Sequence, residues 1–140
     1  AYLVPYKGEV QVIVAPHGLI ELAFRHPLVK SVQARVVRKG EPFDIAYAPD
    51  PVITHKPLID GTAGEKIGAY MIVELMTGGR VVEWMTRAEV EEVRAVSKSF
   101  QEGKGPWIDW EDEMWRKSAL KRGMKYVPQS EELMRALDLD

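Results

Sequence analysis

The chain opens on two short apolar runs, residues 2–6 and 9–15, joined by Lys7-Gly8. In the second, Val10, Val12 and Val14 alternate with Glu9, Gln11 and Ile13, the period of a half-buried strand, so the pair predicts a β-hairpin. Pro16 and Gly18 break that strand, and residues 19–26 predict a helix stopped by Pro27. Alternation returns over 29–38, and short strands are expected near 42–48 and 51–56. Residues 57–68 hold three glycines and predict a loop. Residues 69–76 and 80–86 flank Thr77-Gly78-Gly79 and form a second hairpin.

The period then changes from strand to helix. Thr86 with Glu89 makes a capping box, and Val90, Val93, Val96 and Phe100 supply an apolar stripe. After a loop at 101–106, a further helix is expected from about Asp109 to Lys125, ended by Pro128. A last helix is expected over 130–139 with Ser130 as its N-cap. The sum is an α+β domain: an antiparallel β-sheet core with a β-hairpin and an inserted helix, followed by two or three helices.

Composition removes several function classes. The chain has 140 residues, enough for one domain, and no cysteine, which excludes disulfides, thiol catalysis and cysteine metal sites. His17, His26 and His55 are scattered without a metal-ligand spacing and read as surface or turn residues. No GxSxG context surrounds a serine, and "GTAGEKIG" lacks the G-K-[ST] ending of a phosphate-binding loop. No apolar run approaches the length of a membrane span. The carboxylates at Asp109, Glu111, Asp112 and Glu113 read as complements to a helix amino terminus. The chain does not begin with Met and opens directly on strand, so it is expected to be a fragment of a longer protein.

Net charge is −2, from 19 Lys and Arg against 21 Asp and Glu, so any electrostatic function must be local. Residues 113–125 depart from the average: they hold Arg116, Lys117, Lys121, Arg122 and Lys125 with a single acid, Glu113. On a helical wheel Lys117, Lys121 and Lys125 form one stripe, with Ser118 and Arg122 beside it, over an arc of about 140°. Trp115, Ala119, Leu120, Met124, Tyr126 and Val127 fill most of the remainder, and Arg116 projects among them as a candidate structural arginine. Arg87, Arg94 and Lys98 fall within about 40° of one another on the preceding helix, with Glu91 on the same stripe. Lys30, Arg35, Arg38 and Lys56 are basic positions on or beside strands. Trp84, Trp107, Trp110 and Trp115 are candidates for core packing or base stacking. Two readings of the cationic stripe stand side by side: a solvated helix face, or an anion-binding surface.

"VPYKGEVQVIVAPHGLIELAFRHPLVKSVQARVV", then "THKP", "EWMTRAEVEEVRAVSKSF" and "GPWIDWEDEMWRKSALKRGMKYVP", resemble in order and spacing the RecT family of phage-type single-strand annealing recombinases, within the broader RecT/Redβ superfamily. The chain departs from the family pattern at Ala15-Pro16-His17 and at Phe24. The resemblance implies ATP-independent binding of single-stranded DNA and annealing of complementary strands in homologous recombination, with no bond made or broken and no cofactor. It implies a backbone held in a basic groove with bases exposed for pairing, and self-assembly as a ring or helical filament in the cytoplasm of a bacterial host. A partner exonuclease and a host single-strand-binding protein would be met through regions outside this chain. The DNA contacts it implies are Lys117, Lys121, Arg122 and Lys125, then Arg116, Arg87, Arg94, Lys98, Lys56 and Lys7. The competing class is an oligomeric protein–protein module that uses the basic helix to dock an acidic partner.

Overall fold

In the computed structural model the backbone is described at residues 2–6, 9–13, 15–128, 134–135 and 137, and side chains at 15–128, 134–135 and 137. Lys7, Ser130 and most of the expected last helix lie outside the described residues.

The chain order is β1 (Tyr2–Tyr6), β2 (Glu9–Ile13), α1 (Pro16–Phe24), β3 (Val29–Arg38), β4 (Phe43–Ala46), β5 (Val52–His55), β6 (Lys66–Leu75), β7 (Arg80–Thr86), α2 (Arg87–Ala95), α3 (Lys98–Gln101), α4 (Pro106–Asp109) and α5 (Glu111–Gly123), closed by a 3₁₀ turn at Met124–Tyr126. The α+β class stands. The strands divide into three antiparallel ladders: a β1–β2 hairpin, a β3–β6–β7 sheet and a separate β4–β5 pair.

The β3–β6–β7 sheet carries the core. Val32, Ala34, Met71, Val73 and Met85 pack with Leu19 and Ala23 of α1 and with Trp115, Ala119, Leu120 and Met124 from α5 and the turn after it. Strict alternation along β3 would place Val29 and Val37 on the opposite face from Val32 and Ala34, yet all four are buried. A register shift between Val29 and Ser31 resets the side-chain parity at the start of the strand, whereas Val37 stays in register opposite Gly68 and is buried outside the main core cluster.

Several boundaries differ from the sequence expectation, each for a local reason. α1 starts at Pro16, because a proline that ends a strand also suits the first helical turn. β6 begins at Lys66, inside the expected glycine loop. The capping box at Thr86 and Glu89 forms as expected, but the helix does not run on to Phe100. It ends at Ala95, and Ser97 accepts a hydrogen bond from the Phe100 N–H to start α3. Of the expected stripe, Val90 is fully buried, whereas Val93 is 41% and Val96 76% exposed.

The expected helix from Asp109 to Lys125 starts earlier and in two pieces. Gly105 has φ 97°, a left-handed conformation that favours glycine, and a Cβ there would meet Ser99 Oγ at 2.5 Å. Pro106 then opens α4, Trp107 is buried, and Trp110 (φ −133°, ψ 48°) separates α4 from α5. The G-P-W stretch is therefore a helix start that seats one tryptophan. At the other end of α5, Gly123 lies against β6. A Cβ there would collide with Met71 Cε and come within 2.6 Å of Met71 Sδ and 3.0 Å of Glu83 Cβ.

Candidate nucleic-acid interface

α5 approaches the sheet through its apolar side and the last turn of α2 through its cationic side. Between them runs a groove of about 490 Å³, lined by Lys117, Lys121, Arg122 and Lys125 together with Val93, Val96, Met85, Trp107 and Met114. Lys117 and Lys121 on α5 and Lys125 in the 3₁₀ turn that follows it recur at four-residue spacing, so one continuous helical segment delivers them to one channel.

The groove differs from the exposed stripe that the helical wheel describes. Lys117 is only 4% and Ser118 only 8% exposed. The Ser118 hydroxyl donates to the Met114 carbonyl at 2.9 Å, within its own helix. Lys121 is half-buried and Lys125 exposed, so the lysine row runs from the floor of the groove to its mouth.

Arg122 is engaged elsewhere. Its Nε lies 2.9 Å from Glu83 Oε1 on β7, and its Nη1 donates to Glu89 Oε2 in the first turn of α2. The Arg122 guanidinium, followed by the Thr86 N–H, holds the Glu89 carboxyl below its ordinary range, and Glu89 in turn raises Arg122. These contacts tie α5 to α2 and β7 beside the groove.

The other basic positions divide by role. Arg116 Nε donates to the Ala34 carbonyl of β3 at 3.0 Å, the structural use anticipated for it. Arg87 bonds Glu91 Oε1 at 2.6 Å, donates to the Lys66 carbonyl at 2.8 Å, and lies over the Trp115 ring at 5.7 Å. Arg94 stacks on Phe100 at 4.7 Å. Lys98 is exposed on α3, a different helix from Arg87 and Arg94, because the break at Val96–Ser97 ends the continuous wheel that groups the three. Lys56 is exposed after β5, on the separate β4–β5 ladder.

Two clusters have no counterpart in the sequence reading. Lys66 Nζ lies 3.0 Å from Glu111 and 2.7 Å from Asp112, with the Trp115 ring 5.6 Å away, so those carboxylates hold a strand as well as a helix end. His55 is not a surface residue. Its Nε2 is 2.9 Å from Glu41 Oε1 and its Nδ1 2.9 Å from the Tyr70 hydroxyl, while Phe43 packs at 4.6 Å on Trp84 and 5.9 Å on Tyr70. Burial alone would raise the Glu41 carboxyl; the Arg38 N–H and the His55 ring outweigh it and hold the group below its ordinary value. Burial pushes the Tyr70 phenol up. The available signal was register: β4 and β5 pair Phe43 with His55 and Ile45 with Ile53, giving one inward face.

Among the described residues no group of three His, Cys, Asp or Glu is placed to hold a metal ion, and no helix is long and apolar enough to cross a membrane.

Comparison with known proteins points the same way as the motifs. A family model described as the RecT family matches residues 1–140. Protein RecT of Escherichia coli (strain K12) is 37% identical over 153 residues, covering all of this chain and 54% of that protein. The chain thus spans about half the length of the curated relative it matches.

Proposed function

The chain belongs to the RecT family, and from that premise we propose that it binds single-stranded DNA and anneals complementary strands in recombination without ATP. The observation that carries the reading is the lysine row Lys117, Lys121 and Lys125 of α5 and the turn after it, delivered to one groove. Phosphates on such a row are neutralised without base-specific contacts, which suits any sequence. Pairing of complementary strands is itself downhill, so a protein that holds one strand extended with its pairing edges open needs no fuel.

Lys121 and Lys125 are the principal phosphate contacts, and Lys117 supplies charge from the groove floor. Arg122 sets the wall through Glu83 and Glu89 and contributes less to the strand itself. Arg87, Arg94 and Arg116 act mainly as fold contacts, Lys98 and Lys56 are secondary contacts for the strand beyond the groove, and Lys7 is a further contact. The protein works in the bacterial cytoplasm as a ring or filament. An exonuclease and a single-strand-binding protein are engaged through parts of the relatives that this chain does not span. The chemistry is pairing rather than bond making or breaking, and no cofactor takes part.

A salt titration tests the DNA reading. The logarithm of affinity for single-stranded DNA should fall linearly with the logarithm of salt, with a slope of about −2 for three neutralised phosphates. Binding that is undetectable at low salt would remove the proposal.

A further inference from the structure

Charge is only half of what lines the groove. Its 490 Å³ falls within the range of about 300–1,000 Å³ typical of small-molecule pockets, whereas a row of phosphate oxygens needs only a shallow cationic surface. Opposite the lysine row, the end of α2 presents Val93 and Val96, 41% and 76% exposed. Below them lie Met85, Trp107 and Met114, nearly fully buried. The sequence period would pack both valines in the core; instead Val93, still within α2, and Val96, at the helix end, both lie at the groove's edge. Arg122, on the lysine side, is held by Glu83 and Glu89. One flank of the groove is therefore cationic and the other apolar.

A polyanion without apolar groups makes no use of the valine flank. A nucleotide does, because its phosphate is anionic while its sugar and base carry apolar faces. Resting on the single-stranded DNA reading above, we infer that the Val93–Val96 wall takes the sugar-and-base flank of a strand whose phosphates lie on Lys121 and Lys125. The pairing edges then stand at the groove mouth, where a second strand meets them.

The experiment compares oligothymidylate with an abasic strand carrying the same number of phosphates, at one fixed salt concentration. It uses the wild-type chain and a double variant, Val93→Ser with Val96→Ser; both sites are solvent-exposed, and an unchanged melting temperature confirms the fold. Wild type should bind the base-bearing strand about tenfold more tightly than the abasic one. The double variant should narrow that preference to within about threefold, with abasic binding and its salt slope unchanged. Equal wild-type binding of both strands, with a normal salt slope, would overturn the apolar-wall inference and leave the DNA reading intact. Displacement of the bound strand by an acidic amphipathic peptide of alternating Glu and Leu, at lower concentration than oligothymidylate requires, would also overturn it, in favour of a protein occupant. Failure of either strand to bind sinks the DNA reading and this inference together.

Discussion

Arg122 and Glu89 meet 33 positions apart in sequence, and their contact joins the carboxy-terminal part of α5 to the capped start of α2. Glu89 serves both sides: it accepts from the Thr86 N–H at 3.2 Å as part of the capping box and receives the Arg122 guanidinium. Glu83 is only 12% exposed at its side chain and shares the same arginine. Replacing Arg122 with Ala leaves that largely desolvated carboxylate without its cation. The expected loss is about 1–2 kcal/mol, less than for a fully buried pair because Arg122 itself is partly solvated. Urea unfolding measures it, and Arg122→Lys should recover part of the loss.

Gly123 sets how closely α5 lies on the sheet. Gly123→Ala forces a methyl group into Met71, and the fold should lose about 1–3 kcal/mol through overpacking despite the better helix propensity of alanine. Gly103 is exposed with open space around its Cα, so the clash argument does not extend to it. A thermal melt of Gly123→Ala that matches wild type would mean the α5–β6 approach is looser than described.

The lowered carboxyls give stability an acid limb. Glu41 and Glu89 both ionise below their ordinary value in the folded chain. The unfolded chain therefore takes up their protons first as pH falls. Their contribution is fully present above the ordinary carboxylate value of about 4.3 and is lost as pH drops through the lowered values. Urea midpoints taken from pH 6 downward should fall for wild type, and Glu89→Gln should reduce the steepness of that fall. An identical pH profile for the variant would show that the Arg122 contact does not act through the charge of Glu89.

Much of the fold was legible before any coordinates. The Thr86–Glu89 box, the Thr77-Gly78-Gly79 turn and the strand over 29–38 follow from local chemistry that tertiary packing does not override. The misses have a common cause in contacts distant in sequence. A wheel gives the direction in which Lys117 points but not that the ends of α2 and α4 arrive over it. Periodicity ran through Val96 because nothing in the apolar spacing marks Ser97 as a new N-cap; its hydroxyl bond to the Phe100 N–H does. His55 looked like a turn histidine because Glu41 and Tyr70, which enclose it, lie 14 and 15 residues away. The motifs that carry the family resemblance were readable, whereas the division of the basic residues into groove and fold contacts required the packing.

The central claim is that the lysine row of α5 and the turn after it holds the strand during pairing. Its most direct test is the annealing rate of complementary oligonucleotides at moderate salt without ATP, for wild type and for Lys121→Glu with Lys125→Glu. Lys125 is exposed and Lys121 half-buried, and a thermal melt of the double variant confirms that the fold persists. Wild type should speed annealing over the protein-free rate, and the double variant should lose more than about tenfold in single-stranded DNA affinity together with the acceleration. A double variant that folds, binds and anneals as wild type does would contradict the claim.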